Sequence, residues 1–586
     1  MYKINNTISQ VIPAKRLKSF SFHANLYLSG KNLEQDFPGM NKRIKFELKH
    51  LIVLLLVIVA LSAYTTHKER SFAISRNIDI FASLFKEVNT YYIEDIDPDQ
   101  LAQTGINAML ESLDPYTNYI PAEKMDRYTK LTTGEYFGIG AKIEEIAGKK
   151  MITMPMEGYS AYKNGLRIGD EVVAINGNYI VNQPIEYVNQ LLKNQDELVV
   201  NLKIQKNGSG KIEEVSLEKD FVKIKNVPFY GKIDNITGYI KLSEFTFGAS
   251  DEVKEALLEL KQKGVEQLIL DLRDNPGGLL NEAIDVSNIF IEKGKEIVRT
   301  EGKIMEWNKS YKSLNEPVDL YIPMVVLVNE NSASAAEIVA GVLQDYDRAV
   351  LVGHKSFGKG LVQATRTLSY NAKLKITTAK YFIPSGRCIQ SIDYDWDRNT
   401  SHNKSYNTAN GRKVLDGQGI APDVETSDYE QLELFKALQA KGLIFEYANW
   451  YSYRKSPPKK PADFQLTHQE YEQFVSWLKT KNFDYQSDLE ISLRYFEKEA
   501  KLKGSEELNQ QIEDLKTKIR QIKAEELNKY GNKLKKQLEE EIATRFYLEK
   551  GYYELSVKHD EDVAHAIRVL DNNTGYNSIL GISTRL

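Results

Sequence analysis

The run Leu268-Ile269-Leu270-Asp271-Leu272 reads as a buried strand, and it constrains the fold more than any other stretch of this chain. It leads straight into Arg273-Asp274-Asn275-Pro276-Gly277-Gly278, where paired glycines mark a tight turn needing positive φ. Further on, Asn331-Ser332-Ala333-Ser334-Ala335-Ala336-Glu337 stands directly before the helical run Ile338-Val339-Ala340-Gly341-Val342-Leu343. Ser334-x-x-Glu337 fits a capping box, and on that reading Ser334 or Ser332 does no more than cap the helix.

A second segment gives Ser334 another use. Lys359 follows it by 25 positions, in Ser356-Phe357-Gly358-Lys359-Gly360-Leu361-Val362-Gln363. A serine hydroxyl is a poor nucleophile until a base removes its proton, and lysine is a base only when neutral. At an unperturbed pKa of about 10.4, only about one lysine in a few thousand is neutral at pH 7. An apolar pocket lowers that pKa, and Gly358, Gly360, Leu361 and Val362 suit one. Gln363 can orient the amine without adding a charge, and its spacing of four puts it on the face of Lys359 in a strand or a helix. A helix N-terminus at Ser334 also offers unpaired N–H groups to an oxyanion. His354 is the histidine of this stretch, and a Ser–His pair is the weaker alternative.

These two motifs closely resemble those of the carboxyl-terminal processing proteases, also called tail-specific proteases, which use a Ser–Lys dyad supported by a Gln four residues after the Lys. The resemblance covers roughly residues 75–430. It implies an α/β fold with a crotonase-like or ClpP-like catalytic core, an inserted PDZ domain and a helical N-terminal region. It implies Ser334 as nucleophile, Lys359 as general base and Gln363 as its support. Gly278, less surely Gly277, and Ala335 would donate backbone N–H groups to the oxyanion. Tyr381 to Gln390 and Asp416 to Val424 look like family landmarks that close the fold.

Gly134-Glu135-Tyr136-Phe137-Gly138-Ile139-Gly140, with Ser160 to Gly177 after it, resembles a PDZ domain. The implied carboxylate-binding loop is Gly138-Ile139-Gly140, and the run from Pro184 to Leu192 is the other wall of the groove, with Ile139 and Leu191 or Leu192 lining the pocket. A peptide with a free C-terminus would add a strand there. Lys193-Asn194-Gln195-Asp196-Glu197 replaces the familiar glycine-rich turn after that helix.

Composition excludes several classes. Of the 586 residues, 27% are charged and the net charge is −4, so no polybasic surface points to nucleic acid. The single cysteine, Cys388, allows no intramolecular disulfide, and the eight histidines form no ligand motif, so neither metal nor cofactor is expected. Leu51 to Ala63 is an apolar run behind Arg43, Lys45 and Lys49, the layout of a secretory signal or short membrane anchor. A run of thirteen residues is brief against the roughly 20 of a spanning helix. Met40 stands where such a signal would begin, which makes residues 1–39 an extra leader or a misassigned start. Export to the periplasm, or to the extracytoplasmic face of an inner membrane, follows.

The expected order is therefore a leader over 1–39, a signal or anchor over 40–66, a helical region over 75–130, a PDZ domain over 131–220, the protease core over 221–430 and a helical extension over 431–586. In the family the helical N-terminal region serves dimerisation or gating, so pairing of two copies is one expectation. Lys455 to Pro461 marks a linker, and Leu508, Ile512, Leu515, Ile519 and Ile522 form a short helical stripe suited to a bundle face. The expected activity is that of a serine endopeptidase cleaving exported proteins by their C-terminal tails. Two alternatives remain: a non-catalytic PDZ adaptor at the membrane, against which the Ser334/Lys359/Gln363 set stands, and a crotonase-like acyl-thioester enzyme, which shares only the architecture.

Overall fold

The computed structural model describes residues 71–194, 197–392, 394, 404–427 and 432–582. The expected leader and the apolar segment after it lie outside the described residues. No helix among the described residues is long and apolar enough to cross a membrane. The chain divides after Gly105 into two units. The first is helical over 71–91 and leaves Ile78, Phe81 and Leu84 more than half exposed.

The centre of the second unit is a six-stranded sheet. Its elements are β1 (Phe229–Lys232), β2 (Thr237–Lys241), α1 (Ala249–Gln262), β3 (Gln267–Asp271), α2 (Leu280–Phe290), β4 (Met324–Val328), α3 (Ala335–Asp345), β5 (Val350–Gly353) and β6 (Val424–Glu425). The strands stand side by side in chain order, and all pairs are parallel except β1 with β2. Every residue of β3 and β4 is buried, as suits the apolar Leu268-Ile269-Leu270 and Met324 to Val328, and the polar ends of β3, Gln267 and Asp271, are buried with them.

That strand order has a consequence for packing. Right-handed crossovers between successive neighbours put every crossover helix on the same face of a sheet. Accordingly α1, α2 and α3 share one core with Ile240, Leu268, Leu270, Met324, Val326 and Leu351. The alternate residues Tyr239, Ile269, Val325, Leu327, Val350 and Val352 point the other way and need a separate cover. It comes from the far end of the chain. Helices α4 (Glu561–Asp571) and α5 (Asn573–Ile579) bring Val563, Ala566, Leu570, Tyr576 and Leu580 onto that face. Tyr576 Oη accepts from the Met324 N–H at 3.0 Å and donates to the Met324 carbonyl at 3.1 Å. Asp560, which caps α4, and Asp562 also hold Arg273 after β3, at 2.7 and 3.0 Å. The last helices of the extension are thus a layer of the central sheet's fold.

A second sheet, ordered Asn118–Ile120, Lys373–Phe382, Glu296–Gly302 and Lys309–Lys312, carries Leu361–Thr367 on its long strand. Its Val298 and Tyr381 join the core around α1 to α3. The PDZ-like module is a five-strand path from Ala141–Ile146 to Ile212–Glu218 with helices Ser160–Lys163 and Ile185–Lys193. It is entered and left through a two-stranded ribbon, Glu135–Gly138 against Asp220–Lys223.

The rest of the extension is helical with an aromatic core, in which Tyr447 meets Phe474 at 5.0 Å and Trp477 at 5.2 Å. The stripe noted in the sequence lies on helix Asn509–Lys529, where Ile512 and Ile519 pack on Leu493 and Ala500 of the neighbouring helix. Leu515 and Ile522 stay nearly half exposed, so the seam is narrower than the spacing alone predicts.

Truncating Leu570, 3% exposed against the sheet, should therefore destabilise the protease core and not only the extension. Leu570→Ala is expected to cost about 2–5 kcal/mol, read from a denaturation midpoint together with loss of activity. A variant that keeps the wild-type midpoint would show that α4 is dispensable cover.

Candidate active site

Ser334 is the first residue after the strand-to-helix corner between β4 and α3, and its backbone is strained, with φ 57° and ψ −112°. Such a conformation costs on the order of 1–3 kcal/mol outside glycine and persists only where the surroundings enforce it. Glu337, one turn into α3 and fully buried, supplies much of that enforcement. Its Oε2 accepts the N–H of Ser334 at 2.8 Å and the N–H of Lys359 at 2.9 Å. Its Oε1 accepts Ser356 Oγ at 2.6 Å and the N–H of Gly358 at 2.7 Å. Burial raises the Glu337 pKa above the usual carboxylate value, and these donors offset the rise only in part. All four contacts need an acceptor, which is the ionised form.

The capping pattern read from the sequence is thus present, and the same carboxylate reaches across to the lysine motif. Tyr381 adds a second tie, its hydroxyl lying 2.7 Å from the Lys359 carbonyl and 3.2 Å from that of Ser334. Ser332 is fully buried and donates to the Leu272 carbonyl at 2.8 Å, so it has a structural duty. His354 is engaged elsewhere, 3.3 Å from Thr426 Oγ1.

The turn after β3 closes against Ser334. Gly277, at φ 94°, leaves no room for a side chain, because a Cβ there would stand 2.8 Å from both Ala335 N and Ser334 Cβ. The Gly277 N–H is committed to Asn275 Oδ1 at 2.8 Å, and the Ala333 N–H to the Asn275 carbonyl at 2.9 Å. Among the described residues no group accepts from the N–H of Gly278 or of Ala335. Gly278 is the exposed member of the pair, so of the two glycines it is the one with a donor to offer.

Lys359 is partly buried, with Nζ 4.5 Å from the centre of the Tyr116 ring. Burial, helped by the charge of Lys375, lowers its pKa to about 8, against the opposing pull of Glu337 and Asp114. Gln363 sits on the strand Leu361–Thr367, and its amide nitrogen lies 3.3 Å from Thr377 Oγ1. The strand pairing shifts register between Val362 and Gln363, so the simple one-face argument for Lys359 and Gln363 does not carry across that point. Thr377 Oγ1 in turn donates to Asp114 Oδ1 at 3.2 Å, and Asp114 accepts the N–H groups of Tyr116 and Thr117, each at 2.8 Å. Gln363 therefore belongs to the network that holds Tyr116 under the lysine.

Tyr116 is not among the residues that the sequence singles out, since the stretch 75–130 reads there only as a helical region. The signal was there: an Asp two residues before a Tyr and three before a Thr is an Asx-turn pattern.

In the PDZ-like module, Gly140 has φ 73°, and a Cβ there would stand 2.2 Å from Tyr159 Cβ. Among the described residues nothing accepts from the N–H groups of Ile139 and Gly140. The Ile139 side chain is buried in the module's core, so it offers its backbone rather than a pocket wall. Leu191 is partly buried on helix Ile185–Lys193, which packs beside the strand ending at Gly138, while Leu192 belongs to the core. Strand Ala141–Ile146 ends the sheet path, and its outer edge is unpaired among the described residues.

Comparison with known proteins agrees with this architecture. The sequence pattern of peptidase family S41 matches residues 236–398, that of a PDZ domain residues 151–206, and that of the C-terminal helical domain of a probable PDZ-protease residues 434–570. A probable CtpA-like serine protease of Staphylococcus epidermidis is 32% identical over 429 residues, spanning 68% of this chain and 86% of that protein. One from Staphylococcus aureus is 31% identical over 417 residues, spanning 68% and 83%. Among solved structures, a photosystem II D1 C-terminal processing protease is 23% identical, with a TM-score of 0.33 over 62% of this chain and 96% of its own. A putative S41 protease from Bacteroides fragilis is 17% identical, with a TM-score of 0.36 over 57% and 86%.

Glu337→Gln tests the shared carboxylate. The new amide brings an N–H where an acceptor stood, leaving at least one buried donor unmet at a cost of about 1–3 kcal/mol. The expected outcome is a folded protein with a lower melting temperature and a kcat reduced by about a hundredfold. Wild-type kcat in this variant would show that the carboxylate does not organise the site.

Proposed function

The chain belongs to peptidase family S41 and is a serine-type carboxyl-terminal processing protease with a PDZ domain, and from that premise we propose that Ser334 and Lys359 form its catalytic pair and that it cleaves exported proteins presented by their C-terminal tails. The observation that carries this reading is the Glu337 carboxylate, which holds the N–H of Ser334 and that of Lys359 on one oxygen.

In the proposed mechanism, Ser334 Oγ attacks the scissile carbonyl as the neutral amine of Lys359 takes its proton. The charge that develops on the carbonyl oxygen meets the N–H groups of Gly278 and Ala335, which have no acceptor among the described residues. The ammonium then gives its proton to the departing amine, leaving an acyl-enzyme on Ser334. Lys359, neutral again, next takes a proton from water as it attacks the ester carbonyl, and returns that proton to Ser334 Oγ as the acyl–oxygen bond breaks and the new C-terminus leaves. Gln363 acts through Thr377 and Asp114 on the seat of Tyr116, and so on the place of the lysine. With a pKa near 8, about one lysine in ten is neutral at pH 7, hundreds of times the unperturbed fraction.

For substrate capture, the donors of Ile139 and Gly140 suit a terminal carboxylate, and the free edge of Ala141–Ile146 suits an added strand. The neutral glycine-lined loop excludes no particular terminal residue, and half-buried Leu191 favours an apolar one.

One assay tests both halves. Cleavage of a peptide with a free apolar C-terminus should vanish in Ser334→Ala. In the wild type kcat/KM should rise with pH through about 8, because only the neutral amine is a base and the folded-state pKa is depressed. The C-terminally amidated peptide should be cleaved with a KM raised about tenfold or more. Residual turnover in Ser334→Ala would sink the nucleophile assignment, and equal handling of the two peptides would remove tail recognition alone.

Export rests on Arg43, Lys45 and Lys49 before the apolar run Leu51 to Ala63. A reporter active only outside the cytoplasm, fused after residue 130, should therefore be active. A reporter silent there but functional in the cytoplasm would place the enzyme on the other side.

A further inference from the structure

The strand Lys373–Phe382 carries a second lysine toward the site. Lys375 and Thr377, two residues apart, lie on one face of that strand. Thr377 Oγ1 touches Gln363 and Asp114, so this face looks onto the turn whose Tyr116 ring lies beneath Lys359 Nζ. Lys375 is bracketed in register by Asn118 on one side and Thr365 on the other. It is partly buried, and burial lowers its own pKa. Among the described residues no carboxylate lies within ion-pair distance of it and no acceptor within hydrogen-bond distance. Lys373, two residues earlier, differs in resting 4.6 Å over the Tyr128 ring. A half-buried ammonium without a counter-ion is costly, and a neutral polar residue in the same place would avoid the cost.

The charges around Lys359 give that cost a purpose. Glu337 faces it from α3, and Asp114 with the phenol of Tyr116 from the 114–117 turn; both carboxylates favour the ammonium. The phenol of Tyr381 stands at its carbonyl and is neutral, its pKa pushed far up by burial. Lys375 is the cation acting against the two carboxylates.

Resting on the reading of Lys359 as the base, we propose that Lys375 is a positioning residue for the reaction: its ammonium is the positive charge that, beside burial, enlarges the share of Lys359 present as the free amine. A like charge disfavours protonation of its neighbour, and here it offsets the carboxylates that the site needs for other reasons, Glu337 for holding the backbone and Asp114 for shaping the turn.

The test is the pH dependence of kcat/KM for full-length wild type, Lys375→Gln, Lys375→Arg and Lys359→Met on one tailed peptide. Lys375→Gln should move the acid limb to higher pH, reducing activity about three- to tenfold at pH 7.5 and recovering most of it at pH 9.5. Lys375→Arg keeps the charge and should restore the wild-type limb. In a Ser334→Ala background, competitive acetylation of Lys359 followed by mass spectrometry should show its midpoint moving upward in step when Lys375 becomes Gln. An unmoved limb, or a loss equal at every pH, would overturn the proposal while an inactive Lys359→Met leaves the base assignment standing. An active Lys359→Met would overturn the base assignment, and this proposal with it.

Discussion

A single buried carboxylate organises the reacting end of this protein. Glu337 takes four donors from two segments, Ser334 on one side and Ser356, Gly358 and Lys359 on the other. A carboxylate withdrawn from water is costly unless its lone pairs are met, and hydrogen bonds to a charged group are worth about 1.5–3 kcal/mol each. The bonds that make Glu337 tolerable are therefore the bonds that hold Ser334 and Lys359 together, the pair proposed as nucleophile and base. The strained corner at Ser334 persists because its N–H is drawn to that carboxylate and its carbonyl is approached by Tyr381.

The arrangement sets a problem that the rest of the site answers. An ionised carboxylate near Lys359 favours the ammonium, the wrong form for a base. Partial burial and the neighbouring charge of Lys375 outweigh it, and the net effect is a lysine with its pKa lowered to about 8. Tyr116 seats the amine from below and is itself held by the Asp114 turn, so the stretch just after the N-terminal helices becomes part of the active site.

Support for the site reaches to the end of the chain. A parallel sheet with its strands in sequence order leaves one face bare, and α4 and α5 cover it more than 200 residues after β4. Arg273 couples this cover to the turn that carries Gly277 and Gly278, because its guanidinium is shared by Asp271, Asp560 and Asp562. The C-terminal region is thus continuous with the protease core in its packing, although composition alone sets it apart as an extension.

Much of this was legible in the residues themselves. The largely apolar run at 268–272 reads as a buried strand, and Ser334-x-x-Glu337 specifies a helix start, because both are local matters of burial and backbone hydrogen bonding. The paired glycines at 277 and 278 likewise announce positive φ. What sequence could not decide was which distant groups meet. That Glu337 also serves Lys359, that Tyr116 lies beneath its amine, that Lys375 pairs in register with Asn118 and Thr365, and that Leu570 and Tyr576 roof the sheet all depend on contacts between residues far apart in the chain. Local pattern encodes which face a residue turns inward, whereas the identity of its neighbour there follows only from how the sheets, helices and turns close on one another.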